Sequence, residues 1–194
     1  MNMTSILIRL ACTTLLVSTS VCASAATFEG VRFDDSIRLA NRELKLNGMG
    51  IRAVFIIRGY VAGLYLTDRA TTMQDVMAMP GPKRIQLRML RDAKSTDFTK
   101  ALVAGIKKNA SPSELEALHE RIAQLESAIE SFGTTAKGDT INLDFEPERG
   151  LTLSVNGVMK GSAIAGADFF GAVLGIFVGG HPIDARLKKG LLGQ

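Results

Sequence analysis

The chain has 194 residues, of which 46% are hydrophobic, and its 23 basic and 19 acidic side chains give a net charge of +4. This charge is too small and too dispersed to indicate a nucleic-acid-binding surface. The length suits one domain with a hydrophobic core, and no change of composition along the chain marks a second domain.

Residues 1–25 are predicted to be a secretory signal peptide. Arg9 precedes a compact apolar segment at residues 10–17, and Ala23-Ser24-Ala25 has the small-x-small pattern of a cleavage site. The apolar segment is shorter than the roughly 20 residues that cross a bilayer. We therefore expect an exported, periplasmic protein that does not span the membrane.

The predicted domain covers residues 26–194. Both cysteines, Cys12 and Cys22, precede it, so thiol and disulfide chemistry are excluded from the exported chain. Because Arg9 is the only charged residue in the signal peptide, 22 basic and 19 acidic residues remain, a net charge of +3.

The first half of this domain is predicted to be mostly β-strand. A short strand covers residues 27–32, and Asn47-Gly48 after residues 43–46 predicts a type I′ hairpin, because Asn and Gly tolerate positive φ. The next strand starts near Met49, and Arg58-Gly59 is predicted to end it.

Arg52 is the best candidate for a functional residue. Strand alternation places Arg52, Val54 and Ile56 on one face, and both faces of this strand look largely buried. A buried guanidinium cannot lose its charge, so it must reach an internal carboxylate, a sheet edge or a ligand's anionic group. The following strand begins at Tyr60, and its alternation places Tyr60 and Tyr65 on opposite faces, so one of them could share a cavity with the arginine.

A further strand, residues 83–91, alternates apolar with polar side chains. Arg84, Gln86 and Arg88 fall on one face, which is therefore predicted to contact solvent.

Helices are predicted before and after this strand. Residues 71–79 form a short helix, and a second helix covers residues 95–109 with Phe98, Leu102 and Ile106 on its buried side. Ser111-Pro112-Ser113-Glu114 has the pattern of a capping box and begins a third helix, which ends at Phe132-Gly133.

The remaining part is predicted to be a β-meander followed by two helices. Asn156-Gly157 predicts a tight hairpin between its second and third strands. Asp168 interrupts the apolar segment after it, which is also too short to span a membrane. The predicted strands are 139–145, 151–155 and 158–164, and the predicted helices are 165–178 and 184–192.

No metal or cofactor site is expected. His119 lies beside an apolar helix stripe and His181 at a helix end, with no paired carboxylate spacing, so both are expected to be ordinary surface or cap residues. No Gly-rich phosphate loop follows a strand, and no nucleophile elbow is present.

The order of these elements resembles the chalcone isomerase fold. Gly48-x-Gly50-x-Arg52 and the segment Tyr60–Leu66 are similar to the G-x-G-x-R and G-V-Y-L signature of that superfamily. Asn156-Gly157 and Gly166–Phe170 resemble its exported bacterial branch. The resemblance covers nearly all of residues 26–194 and implies an α+β open-faced sandwich, an antiparallel β-sheet covered by a layer of helices.

The resemblance also implies which catalytic positions are kept. In plant chalcone isomerases the arginine that matches Arg52 helps to bind the ionised flavonoid, and several hydroxyl and amide side chains order the substrate and a water. Here those positions correspond to Tyr60, Phe98, Gly105 and Ile176, so the catalytic set is mostly lost. Chalcone isomerase activity is therefore not expected, because positioning and proton transfer each contribute orders of magnitude in rate.

Fatty-acid-binding relatives of the same fold keep the arginine and a tyrosine to hold a carboxylate. We therefore expect a non-catalytic binder of a fatty acid or similar hydrophobic carboxylate, held by Arg52 with Tyr60 or Tyr65 and by Phe98. One alternative is an intramolecular lyase or isomerase acting on another substrate. A second is a ligand-free protein that binds an envelope partner, with Arg52 salt-bridged internally and no cavity. The expected cavity lining is Val54, Ile56, Phe98, Leu102, Val173 and Phe177.

Overall fold

A curved antiparallel sheet forms the frame of the molecule. The computed structural model describes residues 25–194, so the predicted signal peptide lies outside the described residues except for Ala25. The strands are β1 (Ala25–Phe28), β2 (Val31–Asp34), β3 (Ser36–Leu39), β4 (Arg42–Val54), β5 (Ile57–Leu66), β6 (Lys83–Met89), β7 (Ala93–Lys94), β8 (Thr134–Thr135), β9 (Thr140–Glu146), β10 (Gly150–Val155) and β11 (Val158–Ile164).

Five helices are present at the predicted places, with ends that differ by a few residues. None of the helices in residues 25–194 is long and apolar enough to cross a membrane. They are α1 (Met73–Ala78), α2 (Ser95–Asn109), α3 (Pro112–Glu130), α4 (Ala167–Val178) and α5 (Ala185–Leu191).

The main sheet has seven strands in the order β11-β10-β9-β6-β5-β4-β3, and all its pairs are antiparallel. Alternate residues of β5 separate its two faces. Ala62 and Leu64 belong to the large core under the helices, whereas Val61 and Tyr65 belong to a smaller cluster with Phe33 of the β1–β2 hairpin. The helices therefore cover one face of the sheet, and the N-terminal hairpin covers part of the other.

Local signals predicted two connections correctly. Ser111 caps α3, because its hydroxyl accepts a hydrogen bond from the Glu114 N–H at 3.3 Å while the Glu114 carboxylate accepts one from the Ser111 N–H at 2.7 Å. Asn156 and Gly157 have φ values of 50° and 80° and join β10 to β11 in a tight hairpin.

The predicted hairpin at Asn47-Gly48 is wrong. Strand β4 continues through these residues, with a β-bulge between Leu46 and Gly48. The Asn47 amide is used for distant contacts: its Nδ2 donates to the Ala70 and Leu191 carbonyls at 2.9 and 2.8 Å, and its Oδ1 accepts from the Ala70 N–H at 2.9 Å. Tertiary hydrogen bonds therefore replace the turn that the dipeptide favours locally.

The turn between β4 and β5 lies at Phe55-Ile56, earlier than the predicted break at Arg58-Gly59. Val54 pairs with Ile57 across it, and Phe55 has φ of 54°. Phe55 and Ile56 are 95% and 93% exposed, so the end of this strand pair is not buried as its apolar sequence predicted.

The predicted solvent-exposed face of β6 is also wrong. Gln86 is buried, and its amide donates to Asn142 Oδ1 at 3.0 Å. Arg84 forms a bidentate pair with Asp144, with N–O distances of 2.5 and 2.6 Å. Polar partners on β9 therefore satisfy this side of β6, and the alternating pattern reflects cross-strand pairing rather than water.

Candidate functional site

The two glycines that precede Arg52 form a platform for the C-terminal helix α5. A Cβ on Gly48 would lie 2.8 Å from the Leu191 carbonyl oxygen, and one on Gly50 would lie 2.7 Å from the Leu187 carbonyl oxygen. A Cβ on Gly190 of the helix would come closer still to the Met49 carbonyl oxygen. Because all these contacts are with backbone atoms, only glycine permits the helix to lie against β4 here. The Gly-x-Gly spacing thus fixes the strand segment that presents Arg52.

Arg52 lies opposite Tyr60 in the β4–β5 ladder, and both side chains line the same cavity on the helix-covered face. The pairing changes register between Arg52 and Ala53, where Gly59 has no partner. Without this bulge Arg52 would oppose Gly59, and Tyr60 would point to the other face. The irregular ladder therefore brings the arginine and the tyrosine together.

The Arg52 guanidinium is half-buried, and its Nη1 donates to the Ala53 carbonyl at 3.0 Å. Across residues 25–194 it forms no ion pair with a carboxylate. Most of its five N–H donors are therefore available, and a guanidinium holds a carboxylate in bidentate geometry.

Asp184 lies close enough to Tyr60 to act on it electrostatically, but its oxygens are engaged. They accept hydrogen bonds from the N–H groups of Arg186 at 2.8 Å and of Ala53 and Leu187 at 3.4 Å. Burial alone would raise the pKa of the Asp184 carboxyl, but these N–H groups outweigh that effect and hold the pKa below its ordinary value. Asp184 therefore caps α5 and ties it to β4.

The Tyr60 hydroxyl stays protonated under all ordinary conditions. Burial raises the pKa of Tyr60 strongly; the Arg52 charge opposes this shift and Asp184 adds to it. A protonated phenol beside a guanidinium can donate a hydrogen bond to an anion that the guanidinium holds. Tyr60 thus adds a neutral donor to the cationic one.

The cavity that Arg52 and Tyr60 share has a volume of about 380 Å³ and lies between the sheet and the helices. This size is within the range of ligand pockets, which are mostly apolar with a few polar groups. The sheet contributes Leu87, Met89, Ile141, Leu143 and Leu153, and the helices contribute Phe98, Leu102, Ile129, Val173, Ile176 and Phe177.

Of the other candidate residues, some line the cavity and others do not. Phe98 lines the cavity and packs edge-to-face on Phe132, with ring centroids 5.9 Å apart. Tyr65 is buried on the opposite side of the sheet, where its hydroxyl donates to the Asp34 carbonyl at 2.9 Å. Val54 lines the cavity as expected, whereas Ile56 is at the exposed turn and does not.

Gly105 and Ile176 occupy one volume between α2 and α4. A Cβ on Gly105 would lie 2.8 Å from Ile176 Cγ2 and 3.0 Å from Cγ1. A larger side chain at position 105 and isoleucine at 176 therefore exclude each other. Gly105 has no side chain and that of Ile176 is apolar, so neither of these two residues can hydrogen-bond a ligand through its side chain.

Three charged residues at the cavity lining were not anticipated from the sequence. Arg91, Asp92 and Asp97 are exposed and line the cavity near its opening to solvent. Arg91 and Asp92 follow the end of β6, and Asp97 lies in the first turn of α2. Charged residues in such segments are usually ordinary surface residues, so their sequence positions did not mark them as part of a site. The described residues contain no group of three His, Cys, Asp or Glu side chains that could hold a metal ion.

A family profile described as "Chalcone isomerase-like" matches residues 25–193 of the chain. Among solved structures, a fatty-acid-binding protein from Arabidopsis thaliana superposes with a TM-score of 0.67 at 17% sequence identity, covering 87% of this chain and 96% of that one. Comparison with curated protein sequences gives no match. The predicted fold, a mixed α+β sandwich of antiparallel sheet and helices, is confirmed.

Proposed function

The chain belongs to the chalcone isomerase-like family, and from its site we propose that it binds a fatty acid or a similar hydrophobic carboxylate without transforming it. The observation that carries the proposal is a half-buried arginine at an apolar cavity whose guanidinium has no carboxylate partner among residues 25–194. The carboxylate would pair with Arg52 and accept a hydrogen bond from Tyr60, and the acyl chain would lie among the apolar side chains. That the plant neighbour is a fatty-acid-binding protein supports this ligand class.

The two alternatives fit the geometry less well. A ligand-free partner-binding protein predicts an internally paired Arg52 and no cavity, whereas the cavity exists and the arginine has no ion pair within residues 25–194. An isomerase or lyase needs groups that position a substrate and move its protons. Beside Arg52, the Tyr60 phenol has a raised pKa and is a poor base, and Asp184 is held by backbone N–H groups. The other acidic side chains of the cavity lining, Asp92 and Asp97, are exposed to solvent.

The test is native mass spectrometry of the protein purified from its own cell envelope, followed by organic extraction of the released ligand. Wild type is compared with Arg52→Ala and with Arg58→Ala, an arginine on the same strand pair that forms an exposed ion pair with Glu29 at 2.6 Å. Hydrogen bonds to charged groups contribute about 1.5–3 kcal/mol each, so Arg52→Ala should weaken carboxylate binding roughly tenfold to a hundredfold. Arg58→Ala should retain the ligand.

If wild type carries no lipid and Arg52→Ala unfolds at a much lower temperature, the arginine is structural and the proposed function is wrong. A fatty alcohol of the same length provides a second comparison, because it lacks the charge that Arg52 would bind. Equal affinity for the acid and the alcohol would also contradict the assigned role of the guanidinium.

We also propose that the protein is exported and acts in the periplasm. The support is the charge, apolar segment and small-residue cleavage pattern of residues 1–25. N-terminal sequencing of the protein from the cell envelope should give Ala26 as the first residue. A chain that begins at Met1 in the cytoplasm would contradict the export proposal while leaving the ligand proposal intact.

A further inference from the structure

The turn between β4 and β5 has an unusual composition for its conformation and position. Phe55 has φ of 54°, although a bulky side chain rarely adopts positive φ, and two-residue turns of this kind favour glycine at their first position. Phe55 and Ile56 are nevertheless 95% and 93% exposed, and their neighbours Val54 and Ile57 are about half exposed. The turn thus combines unfavourable backbone geometry with four consecutive apolar side chains in water.

Another hairpin of the same sheet shows that neither feature is needed to make a turn. Asn156 and Gly157 connect β10 to β11 with the residues that tight turns prefer. Deviations from turn chemistry that persist without a structural reason point to a functional constraint. The exposed apolar residues at Phe55-Ile56 therefore point to a contact outside the fold.

This apolar tip is continuous with the cavity. Val54 and Ile57, at the base of the turn, line the cavity, while Phe55 and Ile56 project beyond it. The tip is convex and narrow, so it suits insertion into a soft apolar medium rather than packing on a flat protein surface. The side chain of Arg58 next to it is 61% exposed and pairs with Glu29 through Nη1 alone, so its other N–H groups can reach lipid phosphates.

We infer that the tip Val54–Ile57 inserts into the surface of a lipid bilayer and holds the cavity opening at the membrane. A carboxylate ligand could then move between bilayer and cavity along the apolar surface of Val54 and Ile57 without crossing water. The purpose of the contact rests on the proposed function, but the contact itself does not require that a ligand is bound.

The experiment measures co-sedimentation of the purified protein with vesicles of phosphatidylethanolamine and phosphatidylglycerol. Wild type is compared with Phe55→Gly/Ile56→Ser, which removes the two projecting side chains and supplies the residues that the turn geometry favours. The matched control is Val158→Ser/Met159→Ser, which removes the exposed apolar pair at another turn, 60% and 45% exposed. Neither double variant changes a residue that lines the cavity.

Wild type and the control should bind the vesicles, and the tip variant should bind at least roughly a hundredfold more weakly, as expected when two apolar side chains no longer insert into the bilayer. Glycine relieves the positive φ at position 55 and neither side chain is buried, so the tip variant should remain folded, which thermal unfolding checks. Equal binding by wild type and tip variant overturns the inference. So does a wild-type dimer that only the tip variant dissociates, because the tip is then covered by a second copy.

Arg52→Ala separates this inference from the proposed function. It should bind vesicles like wild type even though it loses the carboxylate ligand. If neither wild type nor Arg52→Ala binds a fatty acid but vesicle binding still depends on Phe55 and Ile56, the proposed function fails and the docking inference stands. If the tip variant binds both fatty acid and vesicles as wild type does, the docking inference is wrong and the proposed function stands.

Discussion

Replacing Gly50 with alanine tests whether the Gly-x-Gly platform holds α5 against the strand that carries Arg52. The new Cβ would be 2.7 Å from the Leu187 carbonyl oxygen and 2.9 Å from Leu187 Cα. These are backbone atoms, so the clash cannot be relieved by rotating a side chain, and the helix or the strand must shift. Introducing one carbon into a tightly packed contact typically costs about 1–3 kcal/mol.

Part of that cost is offset, because alanine restricts the unfolded chain and stabilises by about 0.4–1 kcal/mol wherever its conformation is compatible. The net loss should be about 1–2 kcal/mol. For a domain of this size, 1 kcal/mol corresponds to about 2–4 °C, so the melting temperature should fall by about 2–8 °C. Urea unfolding followed by circular dichroism gives the free energy, and thermal unfolding gives the melting temperature.

Gly180→Ala is the matched control, because a Cβ there meets no atom within 4 Å and the residue does not have positive φ. It should be neutral or slightly stabilising. A second readout is local: the Ala53 N–H donates to Asp184 at the start of α5, so its hydrogen exchange should accelerate in Gly50→Ala. If Gly50→Ala matches Gly180→Ala in both measurements, α5 is not held by this contact and the explanation of the glycines is wrong.

Three further variants test other parts of the site and sheet. Gly105→Asn should destabilise by about 1–3 kcal/mol in urea unfolding, because its side chain meets Ile176, and adding Ile176→Ser should recover part of that loss. Asp144→Ala should cost about 3–5 kcal/mol in the same assay, because it leaves the mostly buried Arg84 charge unpaired. The pKa of Asp184 is lowered in the folded state, so its stabilisation is complete above its ordinary value of 3.8 and is lost as pH falls through the folded-state pKa. The stability difference between wild type and Asp184→Asn should therefore shrink on acidification.

Each of these expectations has a contradicting result. Strictly additive effects of Gly105→Asn and Ile176→Ser would show that the two positions do not compete for space. If Asp144→Ala lowered the free energy of unfolding by less than about 1 kcal/mol, the ion pair would stabilise the fold no more than an exposed pair does. A difference between wild type and Asp184→Asn that grows on acidification would mean that the carboxyl favours its protonated form in the fold.

The parts of the fold that follow from local chemistry could be predicted from the sequence. The capping box at Ser111 and the hairpin at Asn156-Gly157 depend on residues within a few positions of each other, and both are confirmed. Asn47-Gly48 has an equally good local signal and was misleading. Its amide instead bonds to the Leu191 carbonyl, 144 residues away, and no short window contains that information.

The polar row on β6 could not be predicted for a similar reason. Alternation shows that Arg84 and Gln86 share a face, but not whether water or another strand faces them. Their partners Asp144 and Asn142 come from β9, which is separated from β6 in sequence by α2 and α3. Whether the polar face of a strand contacts solvent is therefore decided by neighbouring strands that are distant in sequence.

The site depends on one β-bulge, which cannot be read from the alternation of side chains along the sequence. Counting back from the turn, Val54 opposes Ile57 and Ala53 opposes Arg58, so a regular ladder would place Gly59 opposite Arg52. Gly59 is instead left without a partner, and Tyr60 moves opposite Arg52. Since a shift of one residue exchanges the faces of a strand, this bulge decides whether the tyrosine shares the arginine's cavity. The pairing of a cation with a neutral donor, and with it the capacity to hold a carboxylate, therefore follows from the register of two strands rather than from either residue alone.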